Sequence, residues 1–297
     1  MTTHRVEYVA ELRDVTFITY TQPMSRIANS IELAKTSWSV LKADKELLVL
    51  PVISAVASLL TIATFIIPLY TSGAISTETD NVGVATYVIL FVLYVVLAFI
   101  TVFFNAALVF AANERLEGGD PTIKSALAGA RGSIGLIFQW AVVSATVSII
   151  LRSLEERAGV LGRLVIGFIG MAWAVVTYLV LPLLVLEGYS VKDALTESAS
   201  LFKRTWGENL SAQIGFGILG FVASIPGFAL IALGIFTGSG ITIAVFVTLG
   251  IVWLALVAVV MSALAVVFQT ALYRYARDGS APGAFDTNVM NTAFMVR

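Results

Sequence analysis

Tyr178–Leu210 reads YLVLPLLVLEGYSVKDALTESASLFKRTWGENL. Its apolar opening closes at Leu186, and Glu187-Gly188 follows, where a glycine can take the left-handed conformation that ends a helix. Ser190 and Asp193 have the spacing of a capping box. Behind them Val191, Leu195, Ser198 and Phe202 fall on one helical face, with Lys192, Glu197 and Lys203 off it. At Leu210 the chain turns apolar again. One membrane helix ends here, an amphipathic helix lies along the membrane surface, and the next membrane helix begins.

Weaker copies of this arrangement flank it. Leu116-Glu117-Gly118 and Asp278-Gly279 end two other apolar stretches in the same way, and Asp120-Pro121 reads as a cap with proline at the first helical position. In the helix it opens, Ile123, Leu127 and Ala130 share a face, with Lys124 and Arg131 off it. Near the start, Arg26–Lys45 carries Ile27, Ile31, Ala34, Trp38 and Leu41 on one stripe and Glu32, Lys35 and Lys42 opposite. Trp38 is expected at headgroup depth. Apolar runs at Leu47–Tyr70, Val84–Ala112, Ile134–Leu151, Leu164–Leu186, Leu210–Phe236 and Ile241–Tyr273 are each long enough to cross about 30 Å of hydrocarbon. The expected fold is all-α: a polytopic membrane protein of six transmembrane helices, in three repeats of interfacial helix plus two spans. Because every repeat starts on the same side, the repeats are related by an axis along the membrane normal. The interfacial helices are placed near 26–45, 121–132 and 190–206, inside a membrane domain covering 24–279.

Composition agrees with this class. The chain is 58% hydrophobic and 12% charged over 297 residues, with mean hydropathy +0.93, against about a quarter charged in soluble domains. Six spans leave no length for a separate soluble enzyme domain. With no cysteine, disulfides, thiolate metal sites and thiol catalysis are excluded. Arg5, Glu7, Glu11, Arg13 and Asp14 interrupt any signal-peptide core. Residues 1–23 are expected to be a flexible tail, with Met24 an alternative start, and 280–297 a second tail.

Placing the N-terminus inside puts fifteen of the eighteen lysines and arginines on the cytoplasmic side and leaves Arg152, Arg157 and Arg163 opposite. Both termini are therefore expected in the cytoplasm. The anionic-lipid contacts expected on that face are Lys35, Lys42, Lys45, Lys124, Arg131, Lys192, Lys203 and Arg204. Membrane lipids and a membrane-protein partner are the expected partners; nucleic acid is not.

At this point a family resemblance emerges. Tyr178, Pro182, Glu187, Gly188, Ala194, Leu195, Ser198 and Trp206 resemble a pattern in the six-span membrane domain attached to some glycerophosphodiester phosphodiesterases. They also resemble free-standing bacterial membrane proteins of unknown function. The opening SRIANSIELAKTSWSVLKADKELLVLP and the phrase KRTWGENL are similar to one such uncharacterised family. Glu197 stands where related sequences often carry a basic residue. The resemblance implies a fold and a place in the bacterial inner membrane, not a reaction.

Chemistry within the spans is sparse. No ionisable residue lies deep in any of them, which argues against a proton-coupled transporter. The polar residues are Asn105, Gln139, Gln213 and Gln269, each in the cytoplasmic third of its helix. They either line a cavity or serve as interhelical glue worth about 0.6 kcal/mol each. Gly215-Phe-Gly217-Ile-Leu-Gly220 matches the dinucleotide fingerprint but lies within a span and opens no strand-to-helix turn. These glycines, with Gly167, Gly170, Gly234 and Gly238, are expected to let helices approach closely, and Pro226-Gly227 is expected to bend the fifth span. His4 sits in the tail, and Glu187 has neither a histidine nor a second acid assigned to it by sequence, so no catalytic, cofactor or metal site is expected. The leading expectation is a non-enzymatic scaffold that organises lipid or a partner protein. An uncoupled permease or channel for a small or amphiphilic solute is the alternative.

Overall fold

The computed structural model describes residues 33–74, 83–206, 211–237, 240–280, 282, 283 and 285, without the side chains of 202, 204–206 and 211–216. Among the described residues all regular structure is helical. α1 covers 33–43. It is followed by α2 (Glu46–Thr71), α3 (Val84–Leu116), α4 (Ile123–Gly132), α5 (Ile134–Arg157), α6 (Val160–Thr177), α7 (Val180–Leu186), α8 (Val191–Trp206), α9 (Ser211–Phe236) and α10 (Gly240–Asp278). Six stretches are long and apolar enough to cross a membrane: α2, α3, α5, α6 with α7, most of α9, and α10. The chain is a multi-pass helical membrane protein. The fingerprint-like glycines sit inside α9, a helix interior with no strand before it. The tails at 1–23 and 286–297, together with Ile27, Ile31 and Gly238, lie outside the described residues.

By contacts the chain falls into two units. The larger holds Ser39–Thr205 and Val259–Ala284; the smaller is built on Trp206–Ala258. α10, about 58 Å long at 1.5 Å per residue, runs through both.

In the larger unit the tightest packing lies at one end of the helices. In α3 the run Ala106–Val109 and Ala111–Ala112 is buried, while Val84, Tyr87 and Val88 at its start are exposed. α10 has the same gradient, with Ala263, Val267, Phe268, Ala271 and Leu272 buried. Alanines let helix backbones come close where no water remains to be expelled between them. α4 follows this rule: its buried positions are Ala126 and Ala130, with Ile123 and Leu127 only half-buried, so the stripe expected from Ile123, Leu127 and Ala130 is rotated toward the small residues. A Cβ on Gly129 would meet the ring of Phe110 in α3 at 2.4 Å. α8 is likewise anchored by Ala194, Ser198 and Leu201.

The caps differ in detail from the sequence reading. α4 is capped by Thr122, not Asp120: the Thr122 side chain accepts from the Ser125 amide and the Ser125 hydroxyl accepts from the Thr122 amide, a complete capping box. Pro121 precedes the cap. At α8 the Ser190 hydroxyl oxygen accepts from the Asp193 amide at 3.2 Å, and the hydroxyl donates to the Asp193 carboxylate at 2.6 Å. The three helix ends behave alike. Gly118, Gly188 and Gly279 all have positive φ, at 88°, 70° and 70°, the left-handed region that glycine enters without a Cβ penalty.

The smaller unit pairs α9 with the first half of α10. A Cβ at Gly227 would meet Leu254 and Trp253 at 2.8 and 2.9 Å, and one at Gly234 would meet Phe246 at 2.8 Å. From the α10 side, a Cβ at Gly250 would reach Ile231 at 2.5 Å and the Gly227 carbonyl at 2.8 Å. Pro226 weakens the hydrogen-bond ladder around it, and the Trp253 indole N–H donates to the Ala223 carbonyl at 2.9 Å. The close approaches therefore fall at Gly227, Gly234 and Gly250. Gly167, Gly170 and Gly217 face open space, contrary to the packing expected of them.

Candidate functional site

The three left-handed glycines each follow an acidic residue: Glu117, Glu187 and Asp278. These occupy matching places at the ends of α3, α7 and α10, so three helix ends bring three carboxylates to one cavity of about 390 Å³. Its lining also includes Phe110, Asn113, Tyr273, Arg274 and Arg277. Both cations come from α10. Arg274 pairs with Glu117, donates from Nε to Asn113 Oδ1 at 2.7 Å, and lies 3.5 Å from Asp278. Arg277 lies 3.1 Å from Glu187 and 3.9 Å from Glu197. The Tyr273 hydroxyl donates to Glu187. Glu187, which the sequence assigns to a cap or to a nearby lysine such as Lys192, is held by Arg277 and Tyr273 and so joins α7 to α10, and Glu197 extends the network to α8. Each arginine faces more than one carboxylate, so negative charge is in excess over positive at this cluster.

Directly behind it the fourth span is broken at Tyr178–Leu179. Pro182 has no N–H, and its ring crowds the carbonyl four residues earlier. That carbonyl is Tyr178's, and it accepts instead from the Gln269 side-chain amide of α10. The Leu179 amide, left without a helical acceptor, donates to the Ser198 hydroxyl of α8 at 3.2 Å. Leu179 and Ser198 are buried, where an unmade backbone hydrogen bond is costly. Tyr178, Pro182, Glu187, Gly188, Ala194 and Ser198, which carry the family resemblance, therefore meet around this break and the carboxylate beside it. Their neighbour Trp206 has no described side chain.

A second set of contacts holds α4. The Glu46 carboxylate, at the start of α2, accepts from the Ile123 amide at 2.6 Å, and the Glu114 carboxylate accepts from the Ser125 hydroxyl at 3.1 Å. Free amides at a helix start favour such anions. Arg115 lies 3.9 Å from Asp120. Asp44, between α1 and α2, is 7% exposed. Its Oδ1 accepts from the Glu46 amide at 3.1 Å, while Oδ2 has no partner among the described residues. Burial raises its pKa above the ordinary carboxylate range, outweighing the Glu46 amide and the field of Arg115, which lower it.

The polar residues expected inside the spans are carried by α3, α5, α9 and α10. Gln269 is bound at the helix break, Asn105 is half-buried in α3, and Gln139 is exposed near the start of α5. The side chain of Gln213 lies outside the described residues. Of the expected lipid contacts, Lys35, Lys42, Lys45, Lys124, Arg131, Lys192 and Lys203 are exposed, and the Arg204 side chain also lies outside the description. Trp38 is 38% exposed, with Leu33, Ala34, Ser37, Val40 and Leu41 of α1 buried.

No curated protein matches the chain. Residues 84–283, from the start of α3 through the cluster and just beyond the last glycine cap, match DUF6159, a family of unknown function, and the chain belongs to that family.

Proposed function

We propose that the chain is a non-enzymatic membrane scaffold of the bacterial inner membrane. Its cytoplasmic face, bearing α4, α8 and both termini, holds anionic lipid headgroups or an acidic patch of a partner membrane protein. The observation that carries this reading is how the cations are sorted. Arg115, Arg274 and Arg277 are paired with carboxylates. By contrast Lys45, Lys124, Arg131, Lys192 and Lys203 are exposed and form no ion pair among the described residues. Arg274 and Arg277 tie helices together and Arg115 braces the loop after α3; the second group is left for an external anion, at about 1 kcal/mol per residue near an anionic membrane. The carboxylate contacts to α4 and α8 hold those lysines on a fixed frame. The likeness to the membrane domain of glycerophosphodiester phosphodiesterases is consistent with a lipid setting. Gln269, engaged with the Tyr178 carbonyl, fits structural glue better than the lining of a solute path.

The test is retention of anionic lipid. Protein released from its own membrane with minimal detergent is weighed by native mass spectrometry beside a Lys124→Glu, Lys192→Glu, Lys203→Glu variant. The scaffold reading expects bound phosphatidylglycerol to fall at least tenfold in the variant. Retention equal to the wild type overturns it.

A further inference from the structure

Arg115, at the end of α3, stands between two carboxylates of opposite exposure. Asp120, in the loop that leads to α4, has 98% of its side chain exposed and lies 3.9 Å away. Asp44, at the elbow between α1 and α2, is buried, and its Oδ2 has no partner among the described residues. The charged groups whose fields reach Asp44 are Arg115, which favours its ionised form, and Glu46 and Asp120, which oppose it. Lys42 and Lys45 flank it on its own segment and are exposed. Glu114, the neighbour of Arg115 in α3, is turned to the Ser125 hydroxyl of α4.

Arg115 is held loosely where it is. It donates to the Gly119 carbonyl at 3.3 Å, so its contacts among the described residues fall on Gly119 and Asp120. The loop they belong to opens at Gly118, whose φ is 88° and which has open space around it. An exposed, long ion pair of this kind contributes little. A buried carboxylate oxygen that is charged and has no donor costs far more. Solvation therefore decides which acid Arg115 serves. While Asp44 holds a proton, Oδ2 carries no charge and Arg115 stays on the loop. Once Asp44 ionises, water solvates the exposed Asp120, and the buried Asp44 is the acid that needs the guanidinium.

We propose that Asp44 is a proton-operated selector for Arg115: protonated, it leaves Arg115 bracing Gly119–Asp120, and ionised, it draws Arg115 to the elbow and frees the loop that enters α4. One proton passes from the Asp44 carboxyl to solvent, and the charge left behind is met by a guanidinium already present. Burial raises the pKa of Asp44, so the exchange takes place above the ordinary carboxylate value. The device goes beyond the scaffold reading and does not depend on it.

Thermal unfolding of the full-length protein in detergent, at pH 4 and pH 8, is compared for the wild type, Asp44→Asn, Arg115→Gln and the double variant. These replacements keep side-chain size, and Asp44→Asn keeps an acceptor for the Glu46 amide. At pH 8 Arg115→Gln is expected to lower the melting temperature by several degrees more in the wild-type background than in Asp44→Asn, and at pH 4 by the same amount in both. Hydrogen exchange of residues 117–122, corrected for its intrinsic pH dependence, reads the loop directly. It should quicken at least threefold from pH 4 to pH 8 in the wild type and stay level in Asp44→Asn. Coupling between Asp44 and Arg115 that does not change with pH, or a loop response that persists in Asp44→Asn, overturns the proposal.

Discussion

Pro182 deprives the half-buried Tyr178 carbonyl of its helical donor, and Gln269 supplies one from another span. Replacing either repairing group leaves a backbone group unsatisfied away from water. Gln269→Leu and Ser198→Ala are each expected to lower stability by about 1–3 kcal/mol. Asn105→Leu and Gln139→Leu, which release no described hydrogen bond, should stay within about 0.5 kcal/mol. Thermal unfolding of the four variants in one detergent checks the contrast. The proline and the glutamine are both visible in the sequence. Their partnership is not, because 91 residues separate donor and acceptor and hydrophobic periodicity carries no information on which span faces which. Asp44 gives a second test. Its folded pKa is raised above the ordinary 3.8, so the folded state holds the proton more tightly than the unfolded one. Stability therefore falls as pH rises from the ordinary value through the raised one, then levels off. Asp44→Asn keeps an acceptor for the Glu46 amide and cannot ionise. Its melting temperature should exceed the wild type's at pH 7, with the gap closing toward pH 4.

Among the elements, the glycines sort into two kinds that spacing alone does not separate. Gly250 and Gly129 face neighbours so close that a methyl group must displace them: the Gly227 carbonyl and Ile231 in one case, the Phe110 ring in the other. Gly167 and Gly217 face nothing. Gly250→Ala and Gly129→Ala are expected to destabilise by about 1–3 kcal/mol through overpacking, whereas Gly167→Ala and Gly217→Ala should gain about 0.5–1 kcal/mol of helix propensity. Melting temperatures of the single variants decide the sign. The positions of the spans were legible to within a few residues because apolar length dictates them, as were the glycine caps, since only glycine occupies the left-handed region cheaply. The close-packed faces were not legible, because a glycine looking at lipid and one looking at a helix read the same.

For the molecule as a whole, the orientation proposed from the placement of lysine and arginine is simple to test because the sequence has no cysteine. Lys203→Cys and Arg157→Cys each introduce a single thiol at an exposed position. In intact cells a membrane-impermeant maleimide should label Arg157→Cys and not Lys203→Cys; inside-out vesicles should reverse the result. Acid-glycine ends recur at α3, α7 and α10, yet the charges at those ends are not shared equally. Both arginines of the cluster reside on α10, and the carboxylates of α3 and α7 depend on them. Biosynthesis proceeds from the N-terminus, so Glu117 and Glu187 enter the membrane boundary before their counter-charges have been translated. The final helix is consequently the keystone of assembly. A chain that stops short of it is left with two unneutralised acids and, without Gln269, a Tyr178 carbonyl that lacks its donor at the break in the fourth span.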